Sequence, residues 1–244
     1  MIFSENVKIP LKDIDETFYI KDIGILEMLE NTASHHSDMQ GYGVTSVENT
    51  GLAWILMDWK VKVLKRPKYG EELTVNTWAR FINGSIKKHY TYRDFEVLDS
   101  LGNLCVIATS KWVIINMSNG RITEIGDSIL DAYGIEDKSV FGEQEVEKLK
   151  IYQDFKSIVE YKINRSDVDF IGHVHNLYYL NLAYNALPED VYKLKSFDNF
   201  RISYKREIKL GETVKCKYSY NNGQHIITIF NEEETKVHSI IELK

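Results

Sequence analysis

The sequence predicts an α+β protein built twice on one plan, each half an antiparallel β-sheet curled around one long helix. Three observations carry this. Apolar and polar residues alternate with period two in many segments, the pattern of strands with one wet face. Helical spacing is clear in only two places. Finally, Lys65-Arg66-Pro-Lys-Tyr-Gly70-Glu71 is echoed by Lys205-Arg206-Glu-Ile-Lys-Leu-Gly211-Glu212, each following its helix and opening an alternating strand.

The elements follow in order. The first helix carries Ile25, Leu26, Met28, Leu29 and Ala33 on one face and ends near Gly41 and Gly43. Strands come next, such as the one in which Met57, Trp59, Val61 and Val63 alternate with Asp58, Lys60 and Lys62. Asn83-Gly84, Gly102-Asn103, Asn119-Gly120 and Asn221-Asn222-Gly223 mark hairpin turns. The second helix runs from about His175 to the break at Pro188, with Leu177, Leu180, Leu182, Tyr184 and Leu187 on its apolar side. After it, Val214, Cys216, Tyr218 and Tyr220 alternate with Lys215, Lys217 and Ser219. The acidic stretch between, poor in long apolar runs, reads as a connector. The expected division is 1–125, a linker at 126–149, and 150–244.

Composition narrows the function classes. The 244 residues include 30 Lys+Arg and 36 Asp+Glu, a net charge of −6, which excludes a broadly basic nucleic-acid binder. The apolar run Leu52–Met57 is far shorter than the roughly 20 residues of a membrane span. No basic-then-apolar leader opens the chain. Only Cys105 and Cys216 occur, too few for a disulfide framework or zinc ribbon. These features lead us to expect a cytoplasmic protein with no membrane or nucleic-acid partner.

The chemistry concentrates where a strand hands over to the second helix, in Asn164-Arg-Ser-Asp167-Val-Asp169-Phe-Ile-Gly172-His173-Val-His175-Asn176-Leu-Tyr-Tyr179. A helix start presents unpaired N–H groups that stabilise negative charge developing on a carbonyl oxygen. Gly172 lets a substrate carbonyl approach the backbone. Asp169, His173 and a carboxylate from elsewhere would orient water or polarise that carbonyl. The same residues admit a second reading, in which Asp167 or Asp169 caps the helix and His173 packs there.

Asp167-Val-Asp169-Phe-Ile-Gly-His173-Val-His-Asn176-Leu-Tyr-Tyr179-Leu resembles the active-site signature of the fatty acyl-acyl-carrier-protein thioesterases of plants and bacteria. Leu52-Ala-Trp54-Ile, Arg66-Pro-Lys-Tyr-Gly70-Glu, Thr77-Trp78, Ser110-Lys-Trp112-Val and Tyr204-Lys-Arg-Glu207 match in the same order, from about Phe3 to Leu243. The resemblance implies a tandem double hot-dog fold and hydrolysis of an acyl thioester, with no cofactor. Position by position, it puts the catalytic residues at Asp169, His173 and Glu207. Asn176 falls on a position of the same signature. The oxyanion donors are expected at the N–H groups of Gly172 and Val174. The family also places an Asn two residues after its catalytic Asp, where this chain has Ile171, and His175 replaces the first Asn of His-Val-Asn-Asn. Ile208 stands where a cysteine often follows the family's Glu. The first helix start, Lys21-Asp-Ile-Gly24, lacks a histidine, so the chemistry belongs to the second half. The resemblance assigns acyl-chain binding to the first half, with Met28, Ala33 and Trp54 as candidate lining.

The remaining signals are weaker. Adjacent His35 and His36 point in different directions on a helix and are expected at its surface or end, and no metal site is expected. Alternation puts Cys216 on a buried face as inert core. Basic clusters (Lys60, Lys62, Lys65, Arg66, Lys68; Lys87, Lys88, Arg93; Arg201, Lys205, Arg206, Lys209) would steer an acidic acyl carrier protein toward the site. The expected activity is hydrolysis of fatty acyl-acyl carrier protein by a monomer or homodimer. The alternatives are an acyl-CoA thioesterase, or a non-catalytic acyl-binding protein whose site decayed at Ile171.

Overall fold

A computed structural model of the chain describes residues 1–80, 89–142, 145–169, 172–194 and 196–244. Asn83-Gly84, Lys87, Lys88 and Ile171 lie outside them. The chain divides into two compact units, Met1–Val146 and Glu147–Lys244.

The first unit runs β1 (Phe3–Lys8), α1 (Asp22–Met39), α2 (Val47–Thr50), β2 (Leu52–Val63), β3 (Glu72–Arg80), β4 (Thr91–Asp99), β5 (Leu104–Asn116), β6 (Arg121–Thr123) and α3 (Asp127–Tyr133). Its antiparallel sheet has the order β1-β3-β4-β5-β2, with β6 paired to the end of β5. The second unit runs β7 (Ser157–Lys162), α4 (Tyr178–Ala186), α5 (Glu189–Tyr192), β8 (Asn199–Tyr204), β9 (Thr213–Asn221), β10 (Gln224–Asn231) and β11 (Val237–Leu243). Its order, β7-β9-β10-β11-β8, repeats the first element for element. The internal repeat is thus a repeat of topology.

Helix α1 buries Ile25, Leu26, Met28, Leu29 and Ala33, the stripe its spacing predicts, and packs along β1 and β3. Truncating a fully buried leucine such as Leu26 to alanine costs roughly 2–5 kcal/mol. Just past the helix, the chain doubles back so tightly that a Cβ on Gly43 would lie 2.2 Å from Asp38 Oδ1. That carboxylate meanwhile accepts the Thr45 N–H and hydroxyl at 3.2 and 2.9 Å. Residues 126–142, which lack long apolar runs, are tied down by α3: Ile129 and Tyr133 are buried, and Trp78 Nε1 donates to the Lys138 carbonyl at 2.8 Å.

Three local expectations need correction. A bulge between Leu56 and Asp58 shifts the phase of β2, so Leu56 turns inward and Met57 does not share the burial of Trp59, Val61 and Val63. The alternation of β9 fails past Cys216: Ser219 is buried and Tyr220 exposed, and Lys217 is 8% exposed, its ammonium paired with Glu234 and set over the rings of Phe155 and Phe230. Helix α4 begins at Tyr178, about three residues late, because residues 175–177 form a turn held by bonds described below. Among the described residues, no helix is long and apolar enough to cross a membrane.

Candidate active site

Residues 167–169 and 172–174 are tied to one another through the backbone. Val168 and Val174 form an antiparallel bridge. Asp169 N–H donates to the His173 carbonyl at 2.8 Å, and Gly172 N–H to the Asp169 carbonyl at 3.0 Å. The Asp169 carboxylate in turn accepts the His173 N–H at 3.2 Å. Gly172 turns this corner at φ +86°, where a side chain is strained although nothing lies within 4 Å of its would-be Cβ. The loop is therefore shaped to present His173.

Glu207 comes from the segment after β8. His173 bridges to Lys209, and Val174 N–H donates to the Ile208 carbonyl at 2.8 Å. These links set Glu207 Oε2 3.5 Å from His173 Nδ1, with Lys209 Nζ 3.2 Å from the other Glu207 oxygen. His173 and Glu207 side chains are 31% and 54% exposed, so the pair is open to water and substrate. The loop thus gathers Asp169, His173 and Glu207.

The oxyanion assignment changes. The N–H groups of Gly172 and Val174 are both spent on backbone carbonyls within the unit, so neither is available to a substrate oxygen. Asn176 stands at the foot of α4, and its N–H and side-chain amide donate to nothing among the described residues; its carbonyl accepts Tyr204 Oη at 3.0 Å. Asp167 is structural: its carboxylate accepts the Asn164 N–H at 2.7 Å and the Tyr161 hydroxyl at 3.1 Å. His175 Nδ1 accepts the Leu177 N–H at 3.4 Å, closing the turn into α4.

Two residues of the matched stretches, given no role in the sequence reading, belong to the site. Tyr179, 3% exposed, donates its hydroxyl to the Arg206 carbonyl at 3.3 Å, next to Glu207. Burial, with nearby Glu207, Glu212 and Asp169, pushes its phenol up, so it remains a neutral donor. Tyr204 packs edge-on against it, ring centroids 5.2 Å apart. Together they brace the Glu207 segment against α4.

The first unit carries the same loop with different side chains. Ile14 bridges to Ile20 and Tyr19 to Lys68. Asp15 N–H donates to the Tyr19 carbonyl at 2.9 Å, Phe18 N–H to the Asp15 carbonyl at 3.1 Å, and Ile20 N–H to the Pro67 carbonyl at 3.0 Å. The Asp15 carboxylate accepts the Tyr19 N–H at 3.2 Å. Phe18 takes the corner at φ +67°, as Gly172 does in the second unit. Asp15, Phe18, Tyr19 and Arg66 therefore stand where Asp169, Gly172, His173 and Glu207 stand. Asp22, at the start of α1, is instead a buried ion-pair partner of Arg66 at 2.8 Å.

Of the proposed acyl-pocket residues, Met28 and Ala33 are buried on α1, and Trp54 is half-buried, its Nε1 donating to Tyr133 Oη at 3.1 Å. His36 is fully buried, against expectation, because it continues the Leu29–Ala33 stripe. Arg93 is likewise interior and leaves the surface clusters. Lys65 is paired with Asp99 at 2.9 Å, and Arg66 is held by Asp22. Cys216 is core as expected, its thiol pushed up to about 12 by burial.

Fold and loop together define a tandem hot-dog protein in which, of the two described loops, the second sets a histidine against a facing carboxylate. Residues 1–133 match the model of the acyl-ACP thioesterase N-terminal domain, and residues 151–242 that of the C-terminal domain. The chain belongs to the acyl-ACP thioesterase family. It is 24% identical over 206 residues to oleoyl-acyl carrier protein thioesterase 1 of Arabidopsis thaliana, covering 78% of this chain and 56% of that protein. It is 25% identical over 209 residues to the dodecanoyl-[acyl-carrier-protein] hydrolase of Umbellularia californica, with 80% and 53% covered. The chain spans about half the length of these relatives. Among solved structures, the 12:0-ACP thioesterase of Umbellularia californica superimposes with a TM-score of 0.86 at 18% identity, covering 100% of this chain and 96% of that one. An acyl-ACP thioesterase from Bacteroides thetaiotaomicron gives 0.86 at 19% identity, covering 99% and 96%. These superpositions share the double hot-dog fold.

Proposed function

We propose that this chain hydrolyses the thioester of a fatty acyl chain carried on acyl carrier protein, releasing free fatty acid. The observation that supports it best is the asymmetry between the two loops. Both keep the same backbone hydrogen bonds, but only the second offers a histidine with a facing carboxylate. A loop retained for shape alone has no need of His173 and Glu207 set face to face.

In this reading, water lies between Glu207 and the thioester carbonyl. Glu207, with His173 Nδ1 beside it, takes a proton as the water oxygen attacks the carbonyl carbon. Asp169 holds the His173 backbone so that the imidazole faces Glu207. The carbonyl oxygen gains negative charge and is met at the foot of α4, where Asn176 has unused donors. Collapse breaks the C–S bond. The departing thiolate, its thiol pKa roughly 8.5 by analogy with cysteine, needs little acid assistance. The first unit takes the acyl chain, with Met28, Ala33 and Trp54 near it. Domain limits of 1–125 and 150–244, with a linker at 126–149, belong to the same proposal. Cytoplasmic placement fits two buried free thiols, Cys105 and Cys216.

The test is a turnover assay with a fatty acyl chain on acyl carrier protein, the same chain on CoA, and enzyme-free controls. Faster turnover of the carrier-bound substrate supports the proposal, whereas a preference for CoA makes the chain an acyl-CoA thioesterase. No turnover on either, with activity switched on by Ile171→Asn, assigns it a binding role with a decayed site.

A further inference from the structure

On the helix-facing side of the first unit's sheet, Arg93, His36 and Trp59 bring buried N–H donors, two of them without a partner among the described residues. Arg93 in β4 lies directly across from Ala79 in β3 and Ser110 in β5, and Ser110 lies across from Trp59 in β2. Residues paired in this way share a face. His36 of α1 meets that face, with its Nδ1 2.9 Å from Arg93 Nη1. Arginine offers no acceptor, so Nδ1 accepts and the ring proton sits on Nε2. Burial, then the charge of Arg93, lowers the His36 pKa to about 4, and the ring is neutral at pH 7. Its Nε2–H has no hydrogen-bond partner among the described residues, nor has the Trp59 indole N–H, although the two residues are 0% and 1% exposed.

Arg93 itself pairs with no carboxylate among the described residues. It donates to His36 and to Thr77 Oγ1 at 3.3 Å, and lies over the Tyr133 ring at 5.4 Å. Nearby arginines are treated differently: Arg80 pairs with Asp94 at 3.0 Å, and Arg66 with Asp22. Burial brings Arg93 down to about 10, still charged at pH 7. A buried cation without a counter-ion is costly. What exposure remains is local, 6% at Arg93 and 7% at Ala79 beside it, and half-buried Tyr42, Leu52, Trp54 and Leu130 pack around the apolar cluster containing Ala79.

We propose that the interior of the first unit binds a carboxylate carried on an apolar chain, with Arg93 as its counter-ion. A carboxylate accepts only and brings one negative charge, matching the one positive charge of Arg93 and the unpartnered N–H donors of His36 and Trp59. A hydroxyl or ketone would accept the hydrogen bonds and leave the charge unneutralised. Two sources supply this chemistry: a free fatty acid, or the far end of a dicarboxylic acyl thioester. The second source rests on the thioesterase reading above; the first does not.

Calorimetric titration of the purified chain with decanoate, decanol and methyl decanoate tests the site without any need for turnover. Decanoate is expected to bind at least about tenfold more tightly than the other two, the scale of one lost charge-assisted hydrogen bond. Arg93→Met, which replaces an unpaired charge with an apolar side chain of similar length, should erase that difference. His36→Gln, which keeps an acceptor for Arg93, should keep it, and serves should the methionine variant not fold. Equal binding of the three ligands, or an acid preference that survives Arg93→Met, overturns the proposal. Carrier-bound decanoyl and decanedioyl (ω-carboxy) thioesters then separate the sources. Faster turnover of the second, lost in Arg93→Met, identifies the far carboxylate; no preference leaves the free fatty acid. Decanoate binding with no turnover of any thioester refutes the thioesterase reading and leaves this site standing.

Discussion

Replacing His36 with glutamine removes a titrating group from the first unit while leaving Arg93 an acceptor. In the folded chain, burial and the neighbouring guanidinium hold the His36 pKa near 4, against about 6.5 when unfolded. The unfolded chain therefore takes up this proton first as pH falls. The neutral ring contributes stability that is fully present above about pH 6.5 and is lost progressively toward pH 4. At 1.36 kcal/mol per unit, that gap amounts to about 3 kcal/mol. All four tryptophans, Trp54, Trp59, Trp78 and Trp112, fall in the first unit, so their fluorescence during urea unfolding reports that unit alone. Between pH 7 and pH 4.5 the natural chain should lose roughly 2–3 kcal/mol more than His36→Gln. Other titrating groups are common to both proteins and cancel in the difference. Parallel curves would refute a neutral, charge-intolerant His36, and with it the donor inventory around Arg93.

Two substitutions probe the second loop. Gly172→Ala meets no neighbour and costs only the strain of a left-handed alanine, about 1 kcal/mol in urea unfolding; unchanged stability would mean the loop relaxes its corner. Tyr179→Phe deletes the hydroxyl held by the Arg206 carbonyl, and as a positioning change should lower kcat with KM nearly unchanged. A rise in KM at constant kcat would place Tyr179 in substrate binding instead.

Much of the fold was legible because hydrophobic period reports burial directly. The α1 stripe, the alternating strands and the doubled plan all follow from it. Two buried titratable side chains obeyed the same rule and were still misread. His36 falls seven residues after Leu29 on the buried stripe, and Arg93 alternates with Phe95 and Val97, but their charge suggested a surface. The β2 bulge was invisible because a one-residue shift leaves no mark in composition. In the site, Asp169, His173 and Glu207 could be matched through the family resemblance, whereas their counterparts Asp15, Tyr19 and Arg66 could not. What the two loops share is backbone hydrogen bonding, and of the side chains only the aspartate persists. The start of α4 was misplaced because the turn over residues 175–177, held by the His175 N–H to the Asp167 carbonyl and the Leu177 N–H to His175 Nδ1, leaves no mark in apolar spacing.

The central claim, that chemistry resides in one loop of a repeated pair, is tested most directly by matched substitutions in the two units. Asp169→Asn, His173→Ala and Glu207→Gln should each lower turnover of a carrier-bound fatty acyl thioester by about 10²-fold or more, the scale of positioned acid–base groups. Asp15→Asn and Tyr19→Phe, at the equivalent places in the first loop, should leave turnover close to that of the natural chain. A folded Asp15→Asn variant as inactive as Asp169→Asn, or full activity in Glu207→Gln, would contradict the account.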